Sequence, residues 1–331
     1  MKSMKFGFAF RKSLGSRALP AAIDPMKNAI LPQLVIVGSI GIDTIETPRE
    51  KHVEILGGSV SYACAAASFF VKTGMVGVVG TDFPPEHRAL WEKMGIDLSG
   101  LQTEEGKTFR WSGVYEENMD NRRTLLTELN VFERFTPELP ESYRNAPYLF
   151  LGNIAPELQL HVLEQVHSPK FVLIDTMDLW INIARDKLVE VVGKCDMLTL
   201  NESEARLFTG VHSLTDAAEA LLSMGPKFVL IKKGASGSML FSKEGVFLLH
   251  AFPLADFKDP TGAGDTFAGG LMGALAEFGK TDEKSIRRAM LYGSVTAAFG
   301  VEEFSLERLA ALDRKQIDAR SNMLKSMCCI D

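Results

Sequence analysis

Short hydrophobic runs that alternate with helical segments constrain the fold of this 331-residue chain more than any other feature. The runs are residues 34–38, 75–79, 148–151, 171–174, 197–200 and 228–231. The segments that separate the later runs have helical periodicity, at residues 156–166, 179–192, 202–208 and 215–224. Strands that alternate with helices pair in parallel and are covered by helices on both faces. We therefore predict a three-layer α/β/α domain with a mainly parallel central sheet.

Residues 107–132 break this alternation. Residues 108–115 and 122–129 have strand character, and a polar turn at residues 116–121 joins them. Their apolar and polar residues alternate, as expected for a strand with one face in water. We predict a small β-sheet that stands off the main domain as a lid, formed by residues of about 43–56 and 105–133.

The composition favours a soluble globular protein, with 46% hydrophobic and 24% charged residues. A net charge of −6 provides no general attraction to nucleic acid or to an anionic membrane. The four cysteines lack metal-ligand spacing, which favours a reducing cytoplasm. Residues 262–279 are the best candidate for a membrane span, but they contain two acids and many glycines. We expect these glycines to allow close contact between a helix and the sheet.

The two ends of the chain differ from the predicted domain at residues 33–315. Residues 1–32 are basic and contain a single acid, Asp24. A disordered extension or a start codon placed too early explains them best, and a transit peptide is the alternative. Residues 316–331, which include the Cys328–Cys329 pair, are predicted to form a C-terminal tail.

The run from Asp259 to Gly270, DPTGAGDTFAGG, places a glycine-rich turn directly before a helix. Backbone amides at a helix start lack intrahelical partners, and together with the helix dipole they can bind phosphate. A carboxylate there, Asp265, would repel phosphate, so its natural task is to accept a proton from an attacking hydroxyl. The alternative is an ordinary helix start in which Asp265 complements the dipole.

This run resembles the C-terminal signature of the PfkB, or ribokinase-like, family of carbohydrate and nucleoside kinases, and the resemblance covers roughly residues 34–313. It implies a ribokinase-like fold and an ATP-dependent kinase that transfers the γ-phosphoryl group to a hydroxyl of a small sugar or nucleoside. It assigns the anion hole to Gly262, Ala263 and Gly264, and the general base to Asp265. It also implies Mg²⁺ and suggests K⁺.

The acceptor is expected near Asp43, which follows the first strand and could accept two hydrogen bonds from a vicinal diol. The resemblance gives it this role, whereas the sequence alone also allows an exposed loop acid. Tyr62 replaces an asparagine that is frequent in the family and offers an aromatic ring. The other acceptor-side candidates are Gly57, Gly58, Arg110 on the lid and Asn153 at a strand end. Arg110 is equally compatible with a solvated strand charge.

The nucleotide side is predicted from the second half of the chain. Asn201 and Glu204 resemble an Asn-x-x-Glu element that arranges magnesium, with Glu204 acting through water, although a helix cap explains the same pattern. The resemblance further assigns nucleotide contacts to Lys233, Gly234, Gly237, Thr261 and Ser294, although Lys233 is equally compatible with a solvated side chain. Asp259 is a candidate ligand for a monovalent cation.

Two other function classes remain open from the sequence. A non-catalytic, nucleotide-binding regulator could use the same scaffold, although Asp265 argues against it. A dinucleotide-dependent oxidoreductase is poorly supported, because no Gly-x-Gly-x-x-Gly follows the first strand, and no Walker A motif is present. The expected partner is a small molecule, and the resemblance suggests a homodimer formed through the lid.

Overall fold

The computed structural model describes residues 31–119 and 121–328. The strands are β1 (Leu34–Val37), β2 (Gly41–Glu46), β3 (Lys51–Gly57), β4 (Thr73–Gly80), β5 (Asp97–Glu104), β6 (Phe109–Tyr115), β7 (Arg122–Glu128), β8 (Tyr148–Leu151), β9 (Phe171–Asp175), β10 (Met197–Asn201), β11 (Phe228–Lys232), β12 (Ser238–Ser242) and β13 (Gly245–Leu249). Residues 1–30 of the predicted N-terminal extension lie outside the described residues. Cys329 also lies outside them.

The helices surround these strands in chain order. They are α1 (Ser59–Ala67), α2 (Pro85–Lys93), α3 (Pro156–Gln165), α4 (Asp178–Ile183), α5 (Arg185–Val192), α6 (Glu202–Thr209), α7 (Leu214–Leu222), α8 (Ala263–Phe278), α9 (Glu283–Gly300), α10 (Glu307–Ala310) and α11 (Arg314–Cys328). In the part of the chain that the structure describes, no helix combines the length and the apolar character needed to cross a membrane.

The large sheet has the strand order β13-β12-β11-β10-β9-β8-β1-β4-β5. Its pairings are parallel from β11 through β5, and the hairpin β12–β13 adds two antiparallel strands at one edge. Alternate residues of β1 belong to the two hydrophobic cores on either side of the sheet. Leu34 and Ile36 pack on one face of the sheet, and Val35 and Val37 pack on the other. This confirms the predicted α/β fold with a mainly parallel sheet.

Strand β5 is not predicted by the pattern of apolar runs in the sequence. It pairs with β4 at the sheet edge, and most of its residues are only partly buried. Its sequence, DLSGLQTE, is rich in polar residues, because an edge strand keeps contact with water. The apolar signal that marks the inner strands is therefore absent.

The smaller sheet has the strand order β3-β2-β6-β7 and is formed by the two segments predicted to form it. Strand β2 pairs in parallel with β6 and antiparallel with β3, and β6 and β7 form a hairpin. All seven residues of β7 are exposed. Because β2 follows β1 after a three-residue connection, this sheet, which we call the lid, starts beside the carboxyl end of β1.

Glycines allow helix α8 to pack closely against its two neighbouring helices. A Cβ atom at Gly269 would lie 2.2 Å from the carbonyl oxygen of Ala63 in α1, and one at Gly273 would lie 2.9 Å from the Cα of Ala67. On the α9 side, a Cβ at Gly270 would lie 2.1 Å from the Thr296 hydroxyl oxygen. The expected close contact of these glycines is therefore made with helices rather than with the sheet.

The segment predicted as a C-terminal tail is mostly helical. Helix α11 packs against α9 and buries Ile317, Ser321 and Leu324, which lie on one face because they are separated by four and three residues. Arg314, at its start, binds Glu277 of α8 through two hydrogen bonds of 2.7 and 2.9 Å. The folded unit therefore extends beyond residue 315.

We predict that Gly269→Ala destabilises the protein, because the added methyl group would overlap the Ala63 carbonyl. Overpacking of this kind costs ~1–3 kcal/mol of unfolding free energy, measurable by urea denaturation. Gly300→Ala is the matched control, because its Cβ would meet Thr266 only at 3.4 Å. Equal stability of the two variants would contradict this packing.

Candidate active site

A cavity of about 690 Å³ lies beyond the carboxyl ends of the central strands. Asn153, Asp175, Asn201 and Lys232 line it from the ends of, or just after, β8, β9, β10 and β11. The first turn of α8 forms another wall, and Tyr115 and Arg122 reach it from the lid. Ligands bind at this edge in open α/β sheets.

The start of helix α8 has the geometry of an anion-binding turn. Gly262 has a left-handed φ of +72°, and a Cβ there would lie 2.4 Å from the ring of Tyr62. The Ala263 amide donates to the Pro260 carbonyl at 3.2 Å and closes the turn. Among the described residues the Gly264 amide has no hydrogen-bond partner. It is therefore available to a phosphate oxygen.

Asp265 follows this amide and is half-buried in the cavity wall. Burial and the neighbouring Asp175 carboxylate raise the pKa of Asp265 to about 7, while Lys232 and Arg122 act in the opposite direction. A carboxylate whose pKa lies near neutrality is well matched to accept a proton from a hydroxyl. Asp265 thus lies beside the unpaired Gly264 amide in the cavity wall, and its role as general base stays a prediction.

Lys232, rather than the predicted Lys233, reaches the cavity. Its Nζ atom lies 2.8 Å from Oδ2 of Asp175, and the two side chains are 17% and 6% exposed. Lys233 instead lies 3.8 Å from Glu202 and does not line the cavity. Neighbouring residues at the end of a strand point to opposite faces, so only one of the two lysines faces the cavity, and the local sequence does not say which one.

Asp43, a predicted acceptor contact, is buried, and glycines make room for it. It is 4% exposed, and its Oδ1 atom has no hydrogen-bond partner among the described residues. A Cβ at Gly57 would lie 1.9 Å from its Oδ2 atom, and Gly58 adopts a φ of +91° beside Ser39. Burial and the Asp259 carboxylate raise the pKa of Asp43 to about 7, although Arg122 lowers it.

Tyr62 lies between Asp43 and the anion-binding turn. It is 3% exposed and packs its ring against Gly262, and its hydroxyl has no partner among the described residues. Burial and the carboxylates of Asp259 and Asp43 raise the pKa of Tyr62 well above its usual value, so the hydroxyl stays protonated. Asp43, Gly57, Gly58 and Tyr62 do not line the 690 Å³ cavity themselves.

Arg110 lies apart from the other candidates. Its guanidinium binds Glu54 at 2.6 Å and Asp82 at 3.3 Å, and it does not line the cavity. Arg122 lines the cavity instead, opposite Tyr115 in the β6–β7 pairing. Because the Tyr115 hydroxyl lies 2.9 Å from the Thr261 hydroxyl, the lid hairpin contacts the anion-binding turn. Sequence alternation alone gave no reason to prefer Arg122.

Asn201 and Glu204 form a capping box at the start of α6 and also line the cavity. The Asn201 side chain accepts from the Glu204 amide at 2.9 Å, and the Glu204 carboxylate accepts from the Asn201 amide at 2.7 Å. Burial raises the pKa of Glu204 to about 7. The cap and the cavity wall are therefore formed by the same two side chains.

The remaining nucleotide-side candidates differ in their positions. Gly234, Gly237 and Ser294 line the cavity, where apolar residues form the adjoining wall: Phe252, Leu254, Phe257, Ala297, Ala298 and Val301. Thr261 supports the turn, and its amide donates to Asp259 at 2.8 Å. Asp259 is 1% exposed, and its Oδ2 atom has no partner among the described residues. Asn153 lines the cavity while accepting from Trp180 at 2.9 Å.

Comparison with known proteins places this geometry in context. Residues 32–305 match the profile described as pfkB family carbohydrate kinase. The chain is 33% identical to a cytidine kinase of Thermococcus kodakarensis over 77% of its length and 92% of that protein. It is 26% identical to a ribokinase of Arabidopsis thaliana over 86% and 83%. The structure of a putative ribokinase II from E. coli in complex with ATP and Mg²⁺ has the same fold, with a TM-score of 0.72, 18% identity and coverage of 88% and 99%.

We predict a pH-dependent stability effect of Asp43→Asn. The folded-state pKa of about 7, against an ordinary 3.8, means that folded protein keeps a proton that unfolded protein releases. The unfolding free energy therefore falls as pH rises from about 4 to 7 and then levels off. Relative to wild type, the unfolding free energy of the variant should rise by ~2.5–3 kcal/mol between pH 5 and 8, measured by urea unfolding. The unfolding free energy of the exposed control Asp186→Asn should follow that of wild type at every pH. If the unfolding free energy of Asp43→Asn differed from wild type by the same amount at every pH, the raised pKa of the buried Asp43 carboxyl would be contradicted.

Proposed function

Since this chain belongs to the pfkB family of carbohydrate kinases, we propose that it transfers the γ-phosphoryl group of ATP to a hydroxyl of a small sugar or nucleoside, with Asp265 as general base. The family membership makes it a phosphotransferase that acts on a hydroxyl group. The observation that carries the proposed mechanism is the juxtaposition of the unpaired Gly264 amide and the Asp265 carboxylate in one cavity wall.

The proposed chemistry is a direct displacement at phosphorus. Asp265 takes the proton of the acceptor hydroxyl. The oxygen of that hydroxyl forms a bond to the γ-phosphorus, and the bond between the γ-phosphorus and the ADP oxygen breaks. The Gly264 amide and the α8 dipole stabilise the negative charge on the transferring group. Closure of the lid through Tyr115 and Arg122 would exclude water and suppress ATP hydrolysis.

The proposed acceptor contacts follow from unsatisfied buried groups. Asp43 offers a free carboxylate oxygen to a diol, and Tyr62 offers a protonated hydroxyl nearby. Buried polar groups without partners favour a ligand that supplies them. Similarity to a cytidine kinase supports a nucleoside, and similarity to a ribokinase supports a free sugar. An assay of ADP release across sugars and nucleosides, beginning with cytidine and ribose, separates these acceptors; no release with any of them would favour the regulator.

The proposed cation sites have different support. Glu204 and Asn201 line the cavity with oxygen atoms, which suits magnesium held through water on the ATP phosphates. When bound, Mg²⁺ would neutralise phosphate charge. The unpartnered Oδ2 atom of the buried Asp259 suits a monovalent cation such as K⁺. We place the reaction in the cytoplasm, where the free thiols of Cys64 and Cys195 would stay reduced.

We predict that Asp265→Asn lowers kcat by ~10²-fold or more, because removal of a general base costs this much. The amide turn is unchanged, so the dissociation constant for ATP, measured by calorimetry, should stay close to that of wild type. Asp186→Asn, an exposed acid on α5, is the control. Near-normal turnover by Asp265→Asn would refute the proposed base.

We also propose a homodimer formed through the lid. Strand β7 is fully exposed and carries Leu125 and Leu126, which are 49% and 48% exposed, while Val53 on β3 is 62% exposed. Leu126→Glu should shift the mass measured by light scattering from a dimer to the 36.4 kDa monomer. Leu207→Glu, a 44% exposed leucine on α6, should leave the dimer intact. A monomeric wild type would contradict this proposal.

A further inference from the structure

A lysine–aspartate ion pair lies directly beneath the anion-binding turn. Lys232, the last residue of β11, points into the cavity, and its Nζ atom lies 2.8 Å from Oδ2 of Asp175 at the end of β9. The other Asp175 oxygen accepts the Thr176 amide at 3.0 Å, which fixes the carboxylate. Both side chains are largely buried, with exposed fractions of 17% and 6%.

The ammonium group also contacts the first turn of α8. A Cβ atom at Gly264 would lie 3.1 Å from Lys232 Nζ, so the lysine lies against the residue that precedes Asp265. Glu204 is the third carboxylate that interacts with this ammonium, and together with Asp175 and Asp265 it keeps the pKa of Lys232 raised despite burial. One buried cation therefore interacts with three carboxylates.

We propose that Lys232 and Asp175 are a positioning pair for Asp265: the ammonium, which lies against Gly264, favours the ionised form of the Asp265 carboxylate beside an incoming phosphate. Asp175 fixes the ammonium in place, although its own negative charge acts on Asp265 in the opposite direction. This inference rests on the proposed function, because the pair acts on Asp265, which is the proposed general base. A triphosphate brings several negative charges to the turn, and without a cation nearby a half-buried carboxylate would take up a proton there.

The groups that face Asp265 differ in their ability to favour its ionised carboxylate. They are Asp175 on β9, Lys232 on β11, Arg122 on the lid and Tyr62 on α1. Arg122 is exposed, so solvent screens its charge and lid opening would remove it. Tyr62 is neutral. Lys232 is the cation fixed in the domain itself. Replacing a buried ion pair with apolar groups often costs little stability, so a contribution to stability does not by itself explain why this pair is present.

The test measures the ionisation of Asp265 directly, by NMR of protein labelled with ¹³C at aspartate carboxyls. The Asp265 signal is assigned from its loss in Asp265→Asn. Lys232→Met should raise its titration midpoint by ~1 pH unit or more, and Asp175→Asn should lower it, because the removed charges have opposite sign. Lys232→Arg should stay close to wild type.

A purely structural pair would lower the melting temperature of these variants without moving the Asp265 midpoint, and that result would overturn the proposal. The double variant Lys232→Met/Asp175→Asn removes both charges, so the Asp175 carboxylate is not left without its ion-pair partner. Its midpoint should lie between those of the single variants; a midpoint outside that interval would also overturn the proposal. The NMR shifts do not depend on turnover, so opposite shifts together with an active Asp265→Asn enzyme would reject the proposed base and retain the electrostatic pair.

Discussion

The close approach of helix α8 to its neighbours is the constraint on which the site depends. Gly269 and Gly273 bring the helix against α1, and Gly270 brings it against α9. This packing fixes the start of α8 beyond the ends of β9, β10 and β11, where Asp175, Asn201 and Lys232 project. The turn at Gly262 then needs a left-handed backbone and space for the Tyr62 ring, and only glycine meets both needs. Helix packing thus positions one unpaired amide and one carboxylate in a common wall.

Electrostatics follows from the same burial. Asp43, Glu204 and Asp265 each have a pKa raised to about 7, with burial as the largest cause in every case. A protein that buries several acids loses some stability near neutral pH, since its folded state prefers to keep them protonated. Such groups cluster at functional sites, where a carboxyl that can exchange a proton near pH 7 is useful. Lys232 is the buried cation that partly offsets this excess of acid.

Much of the fold could be predicted from the sequence, because the inner strands are buried on both faces and appear as continuous apolar runs. The edge strand β5 was not recognised, and residues 316–331 were predicted as a tail although α11 continues to Cys328, since both segments carry polar residues on exposed faces. The motif residues Gly262, Ala263, Gly264 and Asp265 could be located because a turn and a helix start have local signatures. Lys232 and Arg122 depend on which way a strand faces and on the β6–β7 pairing, which the motifs do not encode.

A crystal structure of the protein with ADP, Mg²⁺ and aluminium fluoride, which mimics a transferring phosphoryl group, would show where that group lies relative to the start of α8. A fluorine atom should accept a hydrogen bond from the Gly264 amide at ~2.7–3.1 Å, with the Asp265 carboxylate on the side away from ADP. An analogue bound elsewhere in the cavity, with the α8 start unoccupied, would contradict this arrangement.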